Sequence, residues 1–335
     1  MTDANLNSKT FQPNVDVAWN LRLINGIKRY LQSWDQLFLP ACFLALLLFL
    51  TFSSPYFLTW ANLRNVLLQT SILAIVATGM TFVIIGGGFD LSAGSVVALS
   101  GTAAALALLS FGVPVGILVG LLIGAAIGSF NGLLISKMNL SPFIVTLGTL
   151  VTARGLALSI SGGHTVSNLP REFTVIGTGN LMGIPYPALI FIGVFVLGHI
   201  ILKYTAFGVK IFAVGGNREA ARLSGIKVEK IIMATFIICS LCASFAGLVL
   251  AGRIRAGEPT VGVFLELYAI AAVVLGGTSL KGGQGSLVKT LLGVLFIGVL
   301  QNGLNLLNVP YYWQQVAIGV VFVSAATIGA LRAAR

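Results

Sequence analysis

The hydrophobic pattern divides the chain into long apolar runs separated by short polar or glycine-rich breaks. Ten runs of about 15–23 residues approach the roughly 20 needed to cross a bilayer as a helix. They are Leu37–Phe52, Val66–Ile85, Ala93–Phe111, Val113–Ile135, Phe143–Ile160, Ile184–Leu202, Ile231–Ala251, Val261–Leu275, Leu287–Leu304 and Tyr311–Leu331. The eighth is short, carries Glu266 and runs into Gly276-Gly277. Backbone polar groups have no water partner inside a bilayer, so the runs are expected to be helices. The expected class is an all-α polytopic membrane protein with about ten transmembrane helices.

Composition agrees. The chain is 57% hydrophobic and 9% charged, against about 25% charged in soluble domains. Residues 1–36 are polar and mildly basic, with no apolar stretch resembling a cleavable signal. They read as a cytoplasmic N-terminal segment, followed by a transmembrane domain over 37–335. The 20 lysines and arginines give a net charge of +11, but their placement argues against nucleic acid. With the N-terminus inside and the runs alternating, fifteen fall in cytoplasmic segments and four (Arg64, Arg171, Arg253, Arg255) in outer loops. Arg154 lies within a run. That asymmetry places both termini in the cytoplasm. One outer loop is long, 161–183, and reads equally well as a partner-docking element or a solvated connector.

Metal chemistry finds no support. Cys239 and Cys242 have C-x-x-C spacing, but they lie within an apolar run with no second Cys or His pair, where cysteine behaves as a small hydrophobe. His164 stands alone in the outer loop.

Two glycine-rich segments interrupt the apolar pattern: GGGFDLSAGS at 86–95 and GGTSLKGGQGS at 276–286. Paired interruptions point to a transport site, because irregular backbone at depth is tolerated only against protein or a cavity. The topology puts both on the cytoplasmic side. Asp90 reads either as a helix N-cap, with Leu91 and Ser92 following, or as a pathway carboxylate. A buried Arg154 needs a partner, and Asp90 or Glu266 are the acids at depth, so Arg154 and Glu266 form a candidate structural ion pair. The other polar residues in the runs are neutral, notably Asn131, Thr146, Thr149, Gln301, Asn302 and Asn305. With Asp90 and Ser92, Asn131, Gln301, Asn302 and Asn305 are the candidate pathway or gate residues. Amide- and hydroxyl-lined paths suit an uncharged, hydroxyl-rich solute. The same residues read equally well as interhelical hydrogen bonds.

The stretch 203–230 is basic and helix-capable. Gly215-Gly216 breaks the chain, Asn217 is a good N-cap, Glu219 suits the first turn, and Gly225 is a natural stop. The spacing predicts a helix of about two turns, too short to be stable by itself. Ala220, Ala221 and Leu223 offer it a small apolar surface. It reads as a docking element or as a helix resting on anionic headgroups of the lipid bilayer.

These residues carry a resemblance. E-A-A-x-x-x-G at Glu219–Gly225 resembles the coupling motif of ABC importer permeases, and GGNREAARLSGI is similar to its form in ribose-type sugar permeases. GMTFVIIGGGFDLSAGSVVALSG (79–101), AIAAVVLGGTSLKGG (269–283) and QNGLNLL (301–307) resemble further segments of that family, in family order. The Ile-x-Leu-Pro ending of the wider motif is missing here. The resemblance implies an ABC importer permease fold with glycine-broken helices in a bacterial cell inner membrane. It implies a permease subunit that pairs with a second permease copy or a paralogue. A cytoplasmic ABC ATPase would grip Asn217, Glu219, Ala220, Ala221, Leu223 and Gly225. An external sugar-binding protein would deliver a monosaccharide. ATP and Mg would be bound by the partner ATPase, with no cofactor on this chain.

The chain has no G-x-x-x-x-G-K-[ST] phosphate loop, so energy would come from a partner or a gradient. A secondary transporter or facilitator for a small neutral polar solute is the alternative. No nucleophile–base–orienter set supports an enzyme.

Overall fold

The computed structural model describes residues 39–333; both chain ends and the expected 1–36 segment fall outside them. The elements are α1 (Leu39–Ser53), α2 (Trp60–Ile85), α3 (Ala93–Phe111), α4 (Val113–Lys137), α5 (Pro142–Ser161), α6 (Arg171–Thr178), a two-stranded hairpin of β1 (Asn180–Leu181) and β2 (Ile184–Pro185), α7 (Tyr186–Tyr204), α8 (Ala206–Gly216), α9 (Arg218–Leu223), α10 (Val228–Ile254), α11 (Leu265–Leu275), α12 (Leu287–Leu306) and α13 (Tyr311–Ala333). From Leu46 onward the chain forms one compact unit, which holds every element from α2 on.

Among the described residues, seven helices are long and apolar enough to cross a membrane: α2, α3, α4, α5, α7, α10 and α12. The expected first run is a 15-residue helix, and the expected eighth run shrinks to the 11 residues of α11. At 1.5 Å per residue α11 is only about 16 Å long. Phe264 adopts a left-handed conformation just before it, and Gly276 ends it.

Helix α2 is the centre of the fold. Every residue from Thr70 to Ile85 is buried, so a helix apolar on all sides finds protein on all sides. It packs against α7, α10, α11 and α12. Helix α4 packs through a run the sequence spells at i+4 spacing: Gly116 lies against Leu108 of α3, Gly120 between α3 and α10, and Gly124, Gly128 and Gly132 against α10. A methyl group at Gly128 would stand 2.7 Å from the Ile237 Cα, and one at Gly132 would stand 2.8 Å from the Met233 Cα. Apolar lipid gives no hydrophobic drive for helix association, so such backbone contact supplies dispersion instead. Ser244 adds a hydrogen bond to the Gly120 carbonyl at 2.8 Å.

The long 161–183 segment, expected as an outer loop, is folded. Its Val166 pairs with Gly257 as an isolated antiparallel bridge, α6 packs on α10, and Phe173 is fully buried against Leu108 and Leu248.

Candidate functional site

Three helices end in the same way. At the end of α2, the amides of Gly87 and Gly88 bond back to the carbonyls of Ile84 and Val83. At the end of α11, Gly277 and Thr278 bond to Val274 and Val273. At the end of α9, Gly225 and Ile226 bond to Arg222 and Ala221. Each is a Schellman closure, and Gly87, Gly277 and Gly225 hold the required left-handed position at φ 82°, 86° and 80°. The similarity of the two glycine-rich breaks thus has a backbone basis.

The breaks also touch each other. The amide of Gly283 donates to the Ile85 carbonyl at 2.8 Å. Gly215, in the last turn of α8, lies so close that a methyl group there would overlap that carbonyl and stand 2.6 Å from the Gly283 nitrogen. Gly215-Gly216 was expected to break the chain; instead the pair completes α8, an element the sequence reading did not separate. Close approach of three backbones is what excludes a side chain at Gly215.

Helix α9 hangs from this junction. The Asn217 side chain accepts the Ala220 amide at 2.9 Å, and Arg218 reaches the Gly87 carbonyl at 3.4 Å. Arg222 stands 3.6 Å from Glu219 and 3.1 Å from Glu229. The helical core is six residues rather than two full turns. Ala221, expected with Ala220 and Leu223 to form a docking surface, instead turns inward into the core. The reason is the closure: Ile226 folds back over Ala221, and both join the core cluster. Asn217, Glu219, Ala220, Leu223 and Gly225 remain exposed, Leu223 at 82%.

Asp90 is fully buried in a polar chain across four helices. Its Oδ1 accepts the Ser92 amide at 2.9 Å and hydroxyl at 2.5 Å; its Oδ2 accepts Ser240 of α10 at 3.5 Å. Asn131 of α4 donates to Ser92 at 3.1 Å, and Thr149 of α5 donates to Asn131 at 2.6 Å. The cap reading is corrected: the capping position of α3 is Ser92, and Asp90 binds Ser92 rather than an amide of the helix. The gate reading gains nothing from this geometry, because Asp90, Ser92 and Asn131 have no exposure to a path. Sequence reasoning missed Ser240, whose signal was a hydroxyl among apolar residues of the run that also holds Thr235 and Ser244.

The expected Arg154–Glu266 ion pair is absent among the described residues, where both ion pairs involve Arg222. Arg154 instead donates to the carbonyls of Pro259 and Val261 at 2.6 and 2.7 Å, fixing the link between α10 and α11. Glu266 packs against Gly94 in the first turn of α3, where any side chain would overlap its carboxylate. Asn302 forms a reciprocal amide pair with Asn62 at 2.8 and 2.9 Å, a helix-to-helix tie. Asn305 accepts from Gln314 at 2.9 Å on an exposed edge.

Of the six pathway candidates, Gln301 lines a cavity. It is about 280 Å³ in volume and lies between α2, α10, α11 and α12, with Gln69, Arg253 and Tyr268 as its other polar walls. Gln69 lies 16 residues before Ile85 on α2, about 24 Å from the glycine junction. Arg253, expected in an outer loop, belongs to the last turn of α10 and donates to the Leu68 carbonyl at 3.3 Å. The Tyr268 hydroxyl donates to Gln315 of α13 at 2.9 Å.

A bundle of apolar helices with glycine-broken ends gathered around one exposed capped helix, and a polar cavity toward the opposite end, defines a multi-pass transport protein. The chain belongs to the family described as branched-chain amino acid transport system / permease component, which it matches over residues 62–326. It is 44% identical over 283 residues to the ribose import permease protein RbsC of Bacillus subtilis (strain 168), covering 84% of this chain and 88% of that protein. It is 41% identical over 312 residues to the ribose import permease protein RbsC of Escherichia coli (strain K12), covering 91% and 97%. It is 37% identical over 293 residues to the L-arabinose transport system permease protein AraH of the same organism, covering 87% and 89%. No solved structure matches the chain at a significant level.

Proposed function

We propose that this chain is the membrane-spanning permease subunit of an ATP-binding cassette importer that moves a monosaccharide, a ribose-like pentose or a hexose, across a bacterial inner membrane. The family description mentions branched-chain amino acids, whereas the relatives compared above, and the D-allose transport system permease protein AlsC at 36% identity, carry sugar names. Similarity over most of both chains is the more specific guide, so the sugar reading is preferred.

The observation that carries the reading is the attachment of α9. It is exposed, closed at both ends, and tied through Arg218 and Gly215 to both glycine-rich breaks. A cytoplasmic ATPase that grips α9 through Asn217, Glu219, Ala220 and Leu223 would move the ends of α2 and α11 with it. In this reading ATP and Mg belong to that partner, an external binding protein delivers the sugar, and a second permease copy completes the path. In this reading the full span count is ten, with both termini in the cytoplasm; the lysine and arginine distribution supports an even count in that orientation.

The test is reconstitution. With the ATPase and binding protein, ATP should drive sugar uptake. Sugar flux through the chain alone, independent of ATP, identifies a facilitator and overturns the reading.

A further inference from the structure

The cavity between α2, α10, α11 and α12 has the wrong chemistry for a packing defect. Voids left by imperfect packing are apolar and dry. This one is walled by two carboxamides, a guanidinium and a phenol ring over an apolar floor that includes Leu73 and Leu250. Among the described residues neither Gln69 nor Gln301 bonds to another protein group through its side-chain amide. Both have donors and acceptors free for a guest. Arg253 spends one N–H on the Leu68 carbonyl and has no acid within ion-pair distance among the described residues. The Tyr268 hydroxyl is committed to Gln315, which fixes its ring as a wall.

We propose that this cavity is a sugar-binding station on the entry side of the permease, and that Gln69, Gln301 and Arg253 read the hydroxyl pattern of the solute. The assignment rests on the importer reading above. Carboxamides both donate and accept, as hydroxyls do, so a neutral polyol can satisfy both. The guanidinium adds donors for ring and hydroxyl oxygens. The apolar floor and the Tyr268 ring suit the C–H face of a sugar. Ligand sites combine an apolar lining with a few placed polar groups in this way. The cavity lies about 24 Å from the glycine junction, so a sugar held here is far from the α9 contacts.

The experiment uses the chain assembled with its ATPase and binding protein in proteoliposomes, with radiolabelled D-ribose, L-arabinose and D-allose as probes. Wild-type uptake of one of these must depend on ATP. Gln69→Ala and Gln301→Ala should each lower that uptake about three- to tenfold, the value of one neutral hydrogen bond. Both should change the ratio of uptake between the sugars, with ATP hydrolysis in the absence of sugar unchanged. Arg253→Lys should do the same, because the single nitrogen of a lysine replaces a planar fork whose donors are spread over three nitrogens, so the Leu68 carbonyl and a solute can no longer be met in the same geometry. No ATP-driven uptake by the wild type overturns the importer reading and this assignment with it. Wild-type uptake with unchanged rates and ratios in the variants overturns the assignment alone. So does an equal loss for every sugar together with lost ATP hydrolysis, which marks a purely structural role.

Discussion

The backbone amide of Gly283 donates to the carbonyl of Ile85 at 2.8 Å, joining two glycine-rich breaks that lie almost two hundred residues apart. Gly215 is wedged against the same bond. The contact is backbone on backbone, so no rotamer change can make room. Gly215→Ala should therefore destabilise the assembled permease by about 1–3 kcal/mol, the usual cost of overpacking. It should also weaken the coupling of ATP hydrolysis to uptake, because it separates α8 from both breaks. Gly216→Ala is the internal control, since a methyl group there meets nothing within 4 Å. Thermal melting of the two variants checks the first effect, and uptake per ATP hydrolysed checks the second.

Helix α9 separates its exposed residues from its anchoring residue. Glu219 points to solvent beside Arg222, whereas Ala221 is buried. Glu219→Lys should leave the melting temperature unchanged and abolish ATP-driven uptake. Ala221→Leu should do the reverse in origin: a larger side chain beneath Ile226 costs about 1–3 kcal/mol of stability and lifts the helix from its seat. Normal uptake by Glu219→Lys would mean that α9 does not bear on the ATPase.

Much of this local structure was legible because single residues carry it. Asn217 and Gly225 bracket α9 through hydrogen bonds that involve only near neighbours, so chain position suffices. The glycine-rich breaks announce themselves for the same reason. What the sequence hid depends on distant partners. Ala220 and Ala221 look alike until Ile226 folds over one of them. Arg154 was matched to an acid because charge suggests charge, yet the carbonyls of Pro259 and Val261 come to it across a hundred residues. Gln69 and Gln301 share a cavity from opposite ends of the chain; Gln301 stood out beside Asn302, whereas a lone amide in an apolar run was the hint of Gln69.

The polar chain from Thr149 through Asn131 and Ser92 to Asp90 gives a further test. Asn131→Ala removes a link and leaves buried partners on both sides without it. An unsatisfied buried group costs about 1–3 kcal/mol, so the variant should melt several degrees lower. Asp90→Ala should also destabilise, and the double variant should lose less than the sum, because the two act through Ser92. Strict additivity in the melting data would show that the chain is not one unit.

The 161–183 segment and the link between α10 and α11 offer a pH-dependent tie. Glu258 accepts hydrogen bonds from the Thr165 and Thr260 hydroxyls, beside the bridge of Val166 to Gly257. The Thr165 bond, then the Thr260 bonds, hold its carboxyl below the usual glutamate range, against a weaker upward push from burial. A carboxyl depressed in the folded state stabilises it above the unfolded pKa, about 4.3, and loses that contribution as pH falls through the folded value. The tie should therefore be fully present at neutral pH and vanish in the acid range below about pH 4. Glu258→Gln cannot change charge. Its melting temperature should lie below that of the wild type at pH 7, and the gap should close as the pH is lowered. Cleavage of the 161–183 segment by an added protease at neutral pH should be faster in the variant. A gap that stays constant or widens toward acid pH would show that the carboxylate does not hold the two loops together.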